Sequence, residues 1–358
     1  MKGVEMIRIG MIGCGGMGNL HASQLAKLPN VKVVGTCDLI PEKAKAMAGR
    51  IGVSRSCTDF RELLPDVDAV WVCTEPFNRA EIVIESARAG KHVFTEKPIA
   101  VSLDDADRMI AAARKAKVKY MLGYCLRFWQ PYRLIRDAFA GGELGELVSC
   151  WMRRFMPWNP GGWYGLQEKS GGVMLDFGSH DVDWLRWVGG DVKTVCGRTF
   201  HVRDGIRADD HGAAALLFRN GGIATIENSW SSFMVESTLG IIGTKGAIMM
   251  GGDGKVRRRI GHDGKEETVD VEAATAINPE GALGKRDANG RILKTRTQNE
   301  SIQQHFIRCI EEDIEPLTPA IEGRKTLLTL MAIRESSRTG KSVEVDSMAK
   351  KPRAMLRK

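Results

Sequence analysis

The chain has 358 residues, of which 43% are hydrophobic and 27% charged, and this length and composition predict a globular protein with two domains. No apolar stretch is long enough to cross a bilayer and the N-terminus lacks a signal-peptide pattern, so we expect a cytoplasmic protein that does not bind membranes. The eight cysteines are scattered, and five of the basic residues behind the net charge of +8 lie in the last nine positions. We therefore expect reduced thiols and a solvated basic tail rather than a nucleic-acid-binding surface.

A glycine-rich turn joins the first predicted strand to the first predicted helix. Residues 7–12 form a short apolar run typical of a buried strand, and residues 19–28 continue as an amphipathic helix. Between them, Gly13, Gly15 and Gly18 match G-x-G-x-x-G. The first glycine permits a tight turn, the second lets a pyrophosphate approach the backbone, and the third lets the helix pack on the strand. Because a helix N-terminus offers free N–H groups and a positive dipole end, this turn predicts a phosphate-binding site.

An acidic residue follows the second predicted strand. Residues 31–36 are strand-like, and Asp38 lies twenty residues after Gly18. A carboxylate at this position accepts hydrogen bonds from ribose hydroxyls and repels a 2′-phosphate. No arginine occurs in the next three positions, so the pattern predicts a dinucleotide site that prefers NAD over NADP. The alternative is a surface turn beside an unrelated aspartate.

Helices and strands alternate up to residue 123. The predicted helices span residues 41–50, 59–64, 79–89 and 103–115, and the predicted strands span residues 68–73, 92–95 and 119–122. Four successive β-α units predict a right-handed parallel sheet with helices on both faces. We therefore assign residues 1–123 to an α/β domain of the Rossmann type.

Strands then succeed one another without intervening helices. After a predicted helix at residues 131–139, strand patterns occupy residues 147–153, 194–202, 212–218, 222–230 and 237–242. Residues 263–299 are polar and unpatterned, which predicts a long loop or arm, and helices at residues 299–312 and 323–338 follow. We expect an α+β domain over residues 124–345, built on a large, mostly antiparallel sheet, and a basic tail over residues 346–358.

The triplet Glu96-Lys97-Pro98 comes directly after the predicted strand at residues 92–95. Ligands of open parallel sheets bind at the carboxyl ends of the strands, so Lys97 is placed where a nicotinamide ring would lie. Pro98 lacks an N–H group and is a candidate for a cis peptide bond. On this triplet alone, a solvent-exposed lysine without a role is an equal alternative.

A histidine among carboxylates occurs within residues 171–190. Asp176, His180, Asp183 and Trp187 are spaced by four, three and four residues, which places them on one face of a predicted helix. Carboxylates beside His180 would fix its tautomer and basicity, as a general base at neutral pH requires. The alternative is a structural histidine on a buried polar helix. A nicotinamide site upstream favours the catalytic interpretation, because alcohol oxidation needs a base for the hydroxyl proton. Metal-ligand spacing is missing, so no metal is expected.

Aromatic and basic residues precede this helix in a loop rich in proline and glycine. Such side chains stack on sugar-like rings and hydrogen-bond to them, although tryptophans belong to a domain core as often. The candidate substrate contacts are Arg153, Arg154, Trp158, Trp163 and Tyr164, together with Tyr124 and Arg127 at the start of the second domain.

The sequence resembles the Gfo/Idh/MocA family, named for glucose-fructose oxidoreductase, inositol dehydrogenase and a rhizopine-catabolism protein. The resemblance covers nearly the whole chain. It is carried by GCGGMG with Cys37-Asp38, AGKHVFTEKPIA, GYCLRF, GGVMLDFGSHDVDWLRW, IIGTKGAI and GRKTLLTLMAIRESSRTGK. It implies a Rossmann domain followed by an α+β domain whose open sheet commonly builds dimers or tetramers, so we expect a homo-oligomer.

The resemblance also implies roles for individual residues. By position, Lys97 is similar to the family's lysine that contacts cofactor and substrate, and Asp176 and His180 are similar to its catalytic aspartate and histidine. The predicted cofactor contacts come from the glycine turn and the strand ends, and they are Gly13, Gly15, Gly16, Met17, Gly18, Asp38, Thr74, Glu75, Glu96 and Lys97. Family members often carry Thr-Pro-Asn-x-x-His after the third strand. This chain instead has Thr74-Glu75-Pro76-Phe77-Asn78-Arg79, with Arg79 at the histidine position.

These patterns predict an NAD-dependent dehydrogenase that oxidises a secondary alcohol of a cyclic polyol, a sugar or a sugar derivative. Two alternatives remain open. One is a glycosidase that retains NAD and oxidises its sugar only transiently, and the other is a nicotinamide-binding sensor without turnover.

Overall fold

The computed structural model describes residues 6–272, 285–286, 292–293 and 300–349. The chain divides into two compact units, the first comprising Met1–Tyr124 and Glu300–Arg324, and the second comprising Cys125–Asn299 and Lys325–Lys358. The first break lies one residue beyond the predicted domain boundary. The return of Glu300–Arg324 to the first unit is absent from the predicted division, because a helical pattern does not indicate which sheet a helix will cover.

The first unit is built on a six-stranded parallel sheet in the order β3-β2-β1-β4-β5-β6. Its strands are β1 (Ile7–Ile12), β2 (Val31–Cys37), β3 (Ser56–Cys57), β4 (Ala69–Val72), β5 (His92–Thr95) and β6 (Tyr120–Leu122). Every side chain of β4 is buried, as expected for a central strand covered on both faces. The predicted Rossmann fold is confirmed.

Four helices connect these strands: α1 (Gly16–Leu25), α2 (Pro41–Arg50), α3 (Ala80–Arg88) and α4 (Leu103–Ala116). Ser102 caps α4 by accepting a hydrogen bond from the Asp105 N–H at 3.1 Å. The predicted helix at residues 59–64 is instead two 3₁₀ turns, Phe60–Glu62 and Leu64–Asp66. Pro65 explains the interruption, because it has no N–H group to continue an α-helical ladder.

The second unit contains helices on one face of a larger sheet. The helices are α5 (Gln130–Ala140), α6 (Gln167–Ser170), α7 (Gly172–Asp176) and α8 (Gly178–Gly189). The nine strands are β7 (Leu147–Phe155), β8 (Val192–Phe200), β9 (His211–Phe218), β10 (Ile223–Ser229), β11 (Glu236–Gly243), β12 (Gly246–Met250), β13 (Val256–Ile260), β14 (Glu267–Val269) and β17 (Val343–Glu344). Two further short strands, β15 (Lys285–Arg286) and β16 (Ile292–Leu293), pair with each other.

The larger sheet has the order β14-β13-β12-β11-β7-β10-β9-β8-β17. Only the β7–β10 pair is parallel among its described strands, so the expectation of a mostly antiparallel sheet is confirmed. Residues 263–299 are not all loop as predicted, because β14 extends the sheet by pairing with β13. Most of the remainder of that segment lies outside the described residues.

Three helices follow: α9 (Ile302–Glu311), α10 (Ala320–Thr339) and α11 (Val345–Met348). Ser301 and Gln304 form a capping box at the start of α9, which satisfies two of the free N–H groups there. The predicted basic tail falls largely on residues 350–358, which lie outside the described residues. In the described part of the chain, no helix is both long and apolar enough to cross a membrane.

Candidate functional site

The glycine turn between β1 and α1 has the close contacts that its spacing predicts. Gly13 has a φ of +91°, and a Cβ there would lie 2.7 Å from the Cys73 carbonyl carbon. A Cβ on Gly18 would overlap the carbonyl oxygen of Gly13. Around Gly15 and Gly16, by contrast, no atom lies within 4 Å of an added Cβ. The turn is therefore packed against the protein at its first and third glycines and open at the two between them, which is the shape that a pyrophosphate requires.

Asp38 braces this turn from the end of β2. Its Oδ2 accepts a hydrogen bond from the Cys14 N–H at 2.8 Å, and its Oδ1 accepts one from the Ile40 N–H at 2.9 Å. These bonds fix the carboxylate beside the glycine turn while each oxygen keeps a lone pair for another donor. Met17, the remaining predicted contact of the turn, is 45% exposed at the start of α1. The residues present fit an adenosine ribose and a pyrophosphate.

The turn that follows β5, Glu96-Lys97-Pro98, is called the lysine turn. It is supported by the buried side chains of Glu96 and His21. His21, on α1, contacts Glu96 with 2.8 Å between Nε2 and Oε1, and Glu96 Oε2 accepts the Lys97 N–H at 3.1 Å. The Gln303 amide lies 2.8 Å from His21 Nδ1, so the amide donates to Nδ1 and Nε2 donates to Glu96. Burial raises the pKa of Glu96, but the hydrogen bond from His21, the charge of Lys97 and the hydrogen bond from the Lys97 N–H outweigh it and hold the pKa below its ordinary value. Glu96 is therefore an ionised, fully hydrogen-bonded support for Lys97. The Lys97-Pro98 bond is cis, as predicted.

Thr74 and Glu75 lie directly after β4, at the same edge of the sheet as the glycine turn and the lysine turn. The Thr74 carbonyl accepts a hydrogen bond from Arg79. All the predicted cofactor contacts therefore belong to the first unit and lie at the carboxyl ends of its parallel strands, where this class of sheet binds ligands.

Asp176 and His180 lie on one helical path in the second unit, at the point where α7 passes into α8. The single residue between the two helices, Phe177, keeps helical dihedrals (φ −80°, ψ −49°), and its N–H donates to the Val173 carbonyl at 2.8 Å. Arg154 contacts this residue from β7: its Nη2 donates to the Phe177 carbonyl at 2.7 Å, and its guanidinium lies 4.0 Å above the Phe177 ring. The neighbouring strand therefore holds the helix between Asp176 and His180.

The same arginine belongs to a buried charge cluster under α8. Asp181 is fully buried, with Oδ1 lying 2.6 Å from Arg154 Nε and Oδ2 accepting from the Asn228 amide at 2.6 Å. This cluster anchors the residue after His180 to strands β7 and β10. The cluster thereby fixes the position of the first turn of α8, which contains His180.

Asp183, three residues after His180, pairs with an arginine from an earlier part of the second unit. It is fully buried in a two-pronged ion pair with Arg127, at 2.8 Å from Nε to Oδ2 and 2.7 Å from Nη2 to Oδ1. Trp187 lies against the same arginine, with its ring 5.3 Å from the guanidinium carbon. Arg127 is thus engaged in the second unit by Asp183, and its role as a substrate contact stays a prediction.

Arg153 lies on the opposite face of the sheet from Arg154, because successive side chains of a strand alternate. It pairs with Glu227 at 3.0 Å and with Glu236 at 3.6 Å on the neighbouring strands. Since Arg154 reaches α8, Arg153 points away from Asp176 and His180. The role of Arg153 as a substrate contact stays a prediction.

The aromatic loop after β7 forms a compact cluster. Trp158 lies edge-to-face with Tyr164 at 5.1 Å and with Trp230 at 5.0 Å, and Trp163 stacks on Tyr164 at 3.7 Å. Such packing fixes the orientation of the indole rings. The role of Trp158 and Trp163 as substrate contacts stays a prediction. Tyr124, the last residue of the first unit, is 1% exposed.

Several residues of these clusters carried no signal strong enough to select them from the sequence. They are buried polar groups that support the predicted residues, namely His21, Gln303, Arg154, Asp181 and Asn228. Only their position offered a hint: His21 follows the glycine turn by one helical turn, and Asp181 directly follows the predicted histidine.

The sheet order, the glycine turn and the braced aspartate define a dinucleotide-binding protein of the dehydrogenase class. Residues 7–124 match the model described as an oxidoreductase family with an NAD-binding Rossmann fold, and residues 132–249 match the GFO/IDH/MocA C-terminal domain. The chain belongs to the Gfo/Idh/MocA family of oxidoreductases, and its Rossmann domain binds NAD.

Two relatives and one solved structure illustrate the similarity. The uncharacterised oxidoreductase YrbE of Bacillus subtilis is 30% identical over 253 residues, which cover 68% of this chain and 73% of YrbE. Myo-inositol 2-dehydrogenase of Thermotoga maritima is 28% identical over 350 residues, covering 96% of this chain and 99% of the relative. The crystal structure of the WlbA dehydrogenase from Bordetella pertussis, in complex with NADH and UDP-GlcNAcA, is 26% identical with a TM-score of 0.79, covering 95% of this chain and 98% of that one.

Proposed function

We propose that this protein is an NAD-dependent dehydrogenase that oxidises a secondary hydroxyl of a cyclic polyol, a sugar or a sugar derivative. The observation that carries the proposal is the cradle at Gly15 and Gly16, open to a pyrophosphate and braced by Asp38, in a chain aligned along almost its full length with a myo-inositol dehydrogenase. The eight cysteines are all free thiols, which supports a reducing compartment such as the cytoplasm. We also propose a homo-oligomer.

The coenzyme would be held by groups at the strand ends. The N–H groups at the start of α1 would bind the pyrophosphate, and Asp38 would accept hydrogen bonds from the adenosine ribose while disfavouring a 2′-phosphate. Thr74, Glu75 and Glu96 would line the nicotinamide side. NAD⁺, when bound, supplies the hydride acceptor.

The protein's own residues would then manage the proton. His180 would take the hydroxyl proton, because a neutral imidazole is a suitable base near neutral pH. Asp176, at the end of α7, would orient the histidine or a substrate hydroxyl. Lys97 would polarise the reacting oxygen, with its backbone held by Glu96. The cluster of Arg154 and Asp181 would hold the α8 N-terminus and thereby His180 in position.

A substrate screen with matched variants tests this proposal. Inositols and pyranoses are incubated with NAD⁺ and, in parallel, with NADP⁺, and the absorbance of reduced nicotinamide is followed. We expect turnover with NAD⁺ for at least one cyclic polyol or sugar. His180→Ala and Lys97→Met should each lower kcat by about a hundredfold or more, as loss of general acid–base catalysis does, while the Kd of NAD⁺ changes little.

Two exposed residues of the same type provide controls. His262→Ala and Lys193→Met alter exposed side chains and should retain wild-type kcat. Full activity of His180→Ala at neutral pH would contradict the assigned base. Release of aglycone from a glycoside without gain of NADH would indicate a retained-NAD glycosidase instead, and tight NAD⁺ binding with no turnover across the panel would indicate a sensor.

A further inference from the structure

Arg79 is a buried arginine with no carboxylate among its hydrogen-bond acceptors. It is 1% exposed, although a guanidinium removed from water normally requires compensation by a charge or by several hydrogen bonds. Its three acceptors are all backbone carbonyls, those of Thr74, Glu96 and Pro98. The two terminal nitrogens of this buried side chain therefore bond only to main chain, and its Nε has no hydrogen-bond partner among the described residues.

The identity of these carbonyls indicates what the arginine does. Nη1 donates to the carbonyls of both Glu96 and Pro98, which precede and follow Lys97. Nη2 donates to the Thr74 carbonyl at 2.5 Å, in the loop after β4. The Arg79 guanidinium thus binds the backbone on both sides of Lys97. It also joins the loop after β5 to the loop after β4, and these two loops carry the predicted nicotinamide-side residues.

A second set of bonds holds the same turn through the Glu96 side chain. Glu96 Oε1 is bonded to His21, and Oε2 accepts the Lys97 N–H. The Lys97 backbone is therefore fixed by Arg79 at the carbonyls on either side of it and by the Glu96 carboxylate at its N–H. A side chain that has to meet a reacting oxygen gains from such a fixed backbone, because misplacement by about 1 Å can cost roughly a hundredfold in rate.

We propose that Arg79 is a positioning residue for Lys97, acting through the backbone carbonyls of Glu96 and Pro98. The inference rests on the proposed function only in that Lys97 takes part in the reaction. An imidazole at this position would have at most two donors, against the five of a guanidinium. Neither histidine nor lysine reproduces three bonds in the plane of one group.

The test combines Arg79→Gln with Arg79→Lys, which retains the charge but not the planar group. Arg88→Gln is the matched control, since Arg88 is exposed at the last position of α3, the helix that begins directly after Arg79. In the protein without added nucleotide, we expect Arg79→Gln to speed hydrogen–deuterium exchange tenfold or more in peptides covering residues 95–101, while peptides of α2 are unchanged. With NAD⁺ and myo-inositol as probes, kcat should fall 10- to 100-fold and the Kd of NAD⁺ should change less than threefold. Arg79→Lys should lie between wild type and Arg79→Gln, and Arg88→Gln should match wild type.

A double-mutant cycle separates positioning from general stability. If Arg79 acts through Lys97, Arg79→Gln should lower the residual rate of Lys97→Met by less than threefold. An equal further loss in that background would overturn the proposal, because a structural defect would act independently of the lysine. Unchanged exchange at residues 95–101 would also overturn it. If Arg79→Gln does not fold, Arg79→Lys is carried through the same measurements. If the wild type fails to oxidise any polyol, the proposed function fails, whereas the exchange comparison still decides whether Arg79 holds the turn.

Discussion

Replacing single glycines of the first turn separates coenzyme binding from folding. Gly15 lies in the extended region, with φ −75° and ψ −165°, which alanine adopts without strain, and an added Cβ meets no atom within 4 Å. Gly15→Ala should therefore change the free energy of unfolding by less than about 0.5 kcal/mol. The methyl group would nevertheless enter the space left for a pyrophosphate. Loss of one hydrogen bond to a charged group amounts to about 1.5–3 kcal/mol, so the Kd of NAD⁺ should rise roughly 10- to 150-fold.

Gly18→Ala should show the reverse pattern. Its Cβ would overlap the Gly13 carbonyl oxygen and lie 3.2 Å from the terminal methyl of Met47, so α1 has to move away from the strand at a cost of about 1–3 kcal/mol. Gly49→Ala, in an open position of α2, serves as the control: it should leave NAD⁺ affinity unchanged and raise stability by up to about 1 kcal/mol, because alanine favours a helix over glycine. Isothermal titration calorimetry with NAD⁺ and urea unfolding measure the two effects. Wild-type NAD⁺ affinity of Gly15→Ala, or wild-type stability of Gly18→Ala, would refute the assignment of the turn.

Three further predictions concern charged groups. Asp38→Asn removes the charge that repels a 2′-phosphate, so the preference for NAD⁺ over NADP⁺ in calorimetric titrations should fall at least tenfold; an unchanged ratio would exclude a ribose role. Asp183→Asn leaves Arg127 buried without its partner charge and should cost about 3–5 kcal/mol in urea unfolding, whereas Arg127→Met combined with Asp183→Leu should recover most of that loss. Burial raises the pKa of Glu300, but hydrogen bonds from His305 and Arg308 outweigh it and lower the pKa from 4.5 to about 2. The stability from Glu300 is therefore complete above about pH 4.5 and is lost as the pH falls toward 2. Acid unfolding of Glu300→Gln should lack that component, and an identical acid profile for the variant and the wild type would disprove it.

The sequence was most informative where the backbone itself imposes the requirement. A positive φ at Gly13 and a close approach at Gly18 can be met only by glycine, so the spacing alone predicted the turn correctly. The same holds for the alternating helices and strands of the first unit, since each segment's hydrophobic period is a local property. The parallel sheet and the position of Asp38 followed from these local features.

Contacts between distant segments could not be predicted in this way. Arg154 donates to the Phe177 carbonyl from another strand, and no periodicity within residues 171–190 indicates this contact. Asp183 has the spacing of a partner for His180, and its ion pair with Arg127, 56 residues away in the chain, carries no signal in the sequence. Choosing between such partners requires the three-dimensional packing.

The first unit is built from two stretches that are far apart in the chain, so it can be completed only late in biosynthesis. Phe306, on α9, covers Trp71 and Phe94 with ring centroids 5.7 and 5.9 Å away, and Gln303 supplies the amide at His21 Nδ1. A ribosome has to deliver all of residues 125–299 before either contact forms. Until then, Trp71 and Phe94 of the nascent chain are exposed to water on the side that Phe306 later covers. Exposed hydrophobic surface of this kind is recognised by chaperones and aggregates when chaperones are scarce. A message truncated before codon 300 would accordingly yield an aggregation-prone fragment rather than a free-standing nucleotide-binding domain.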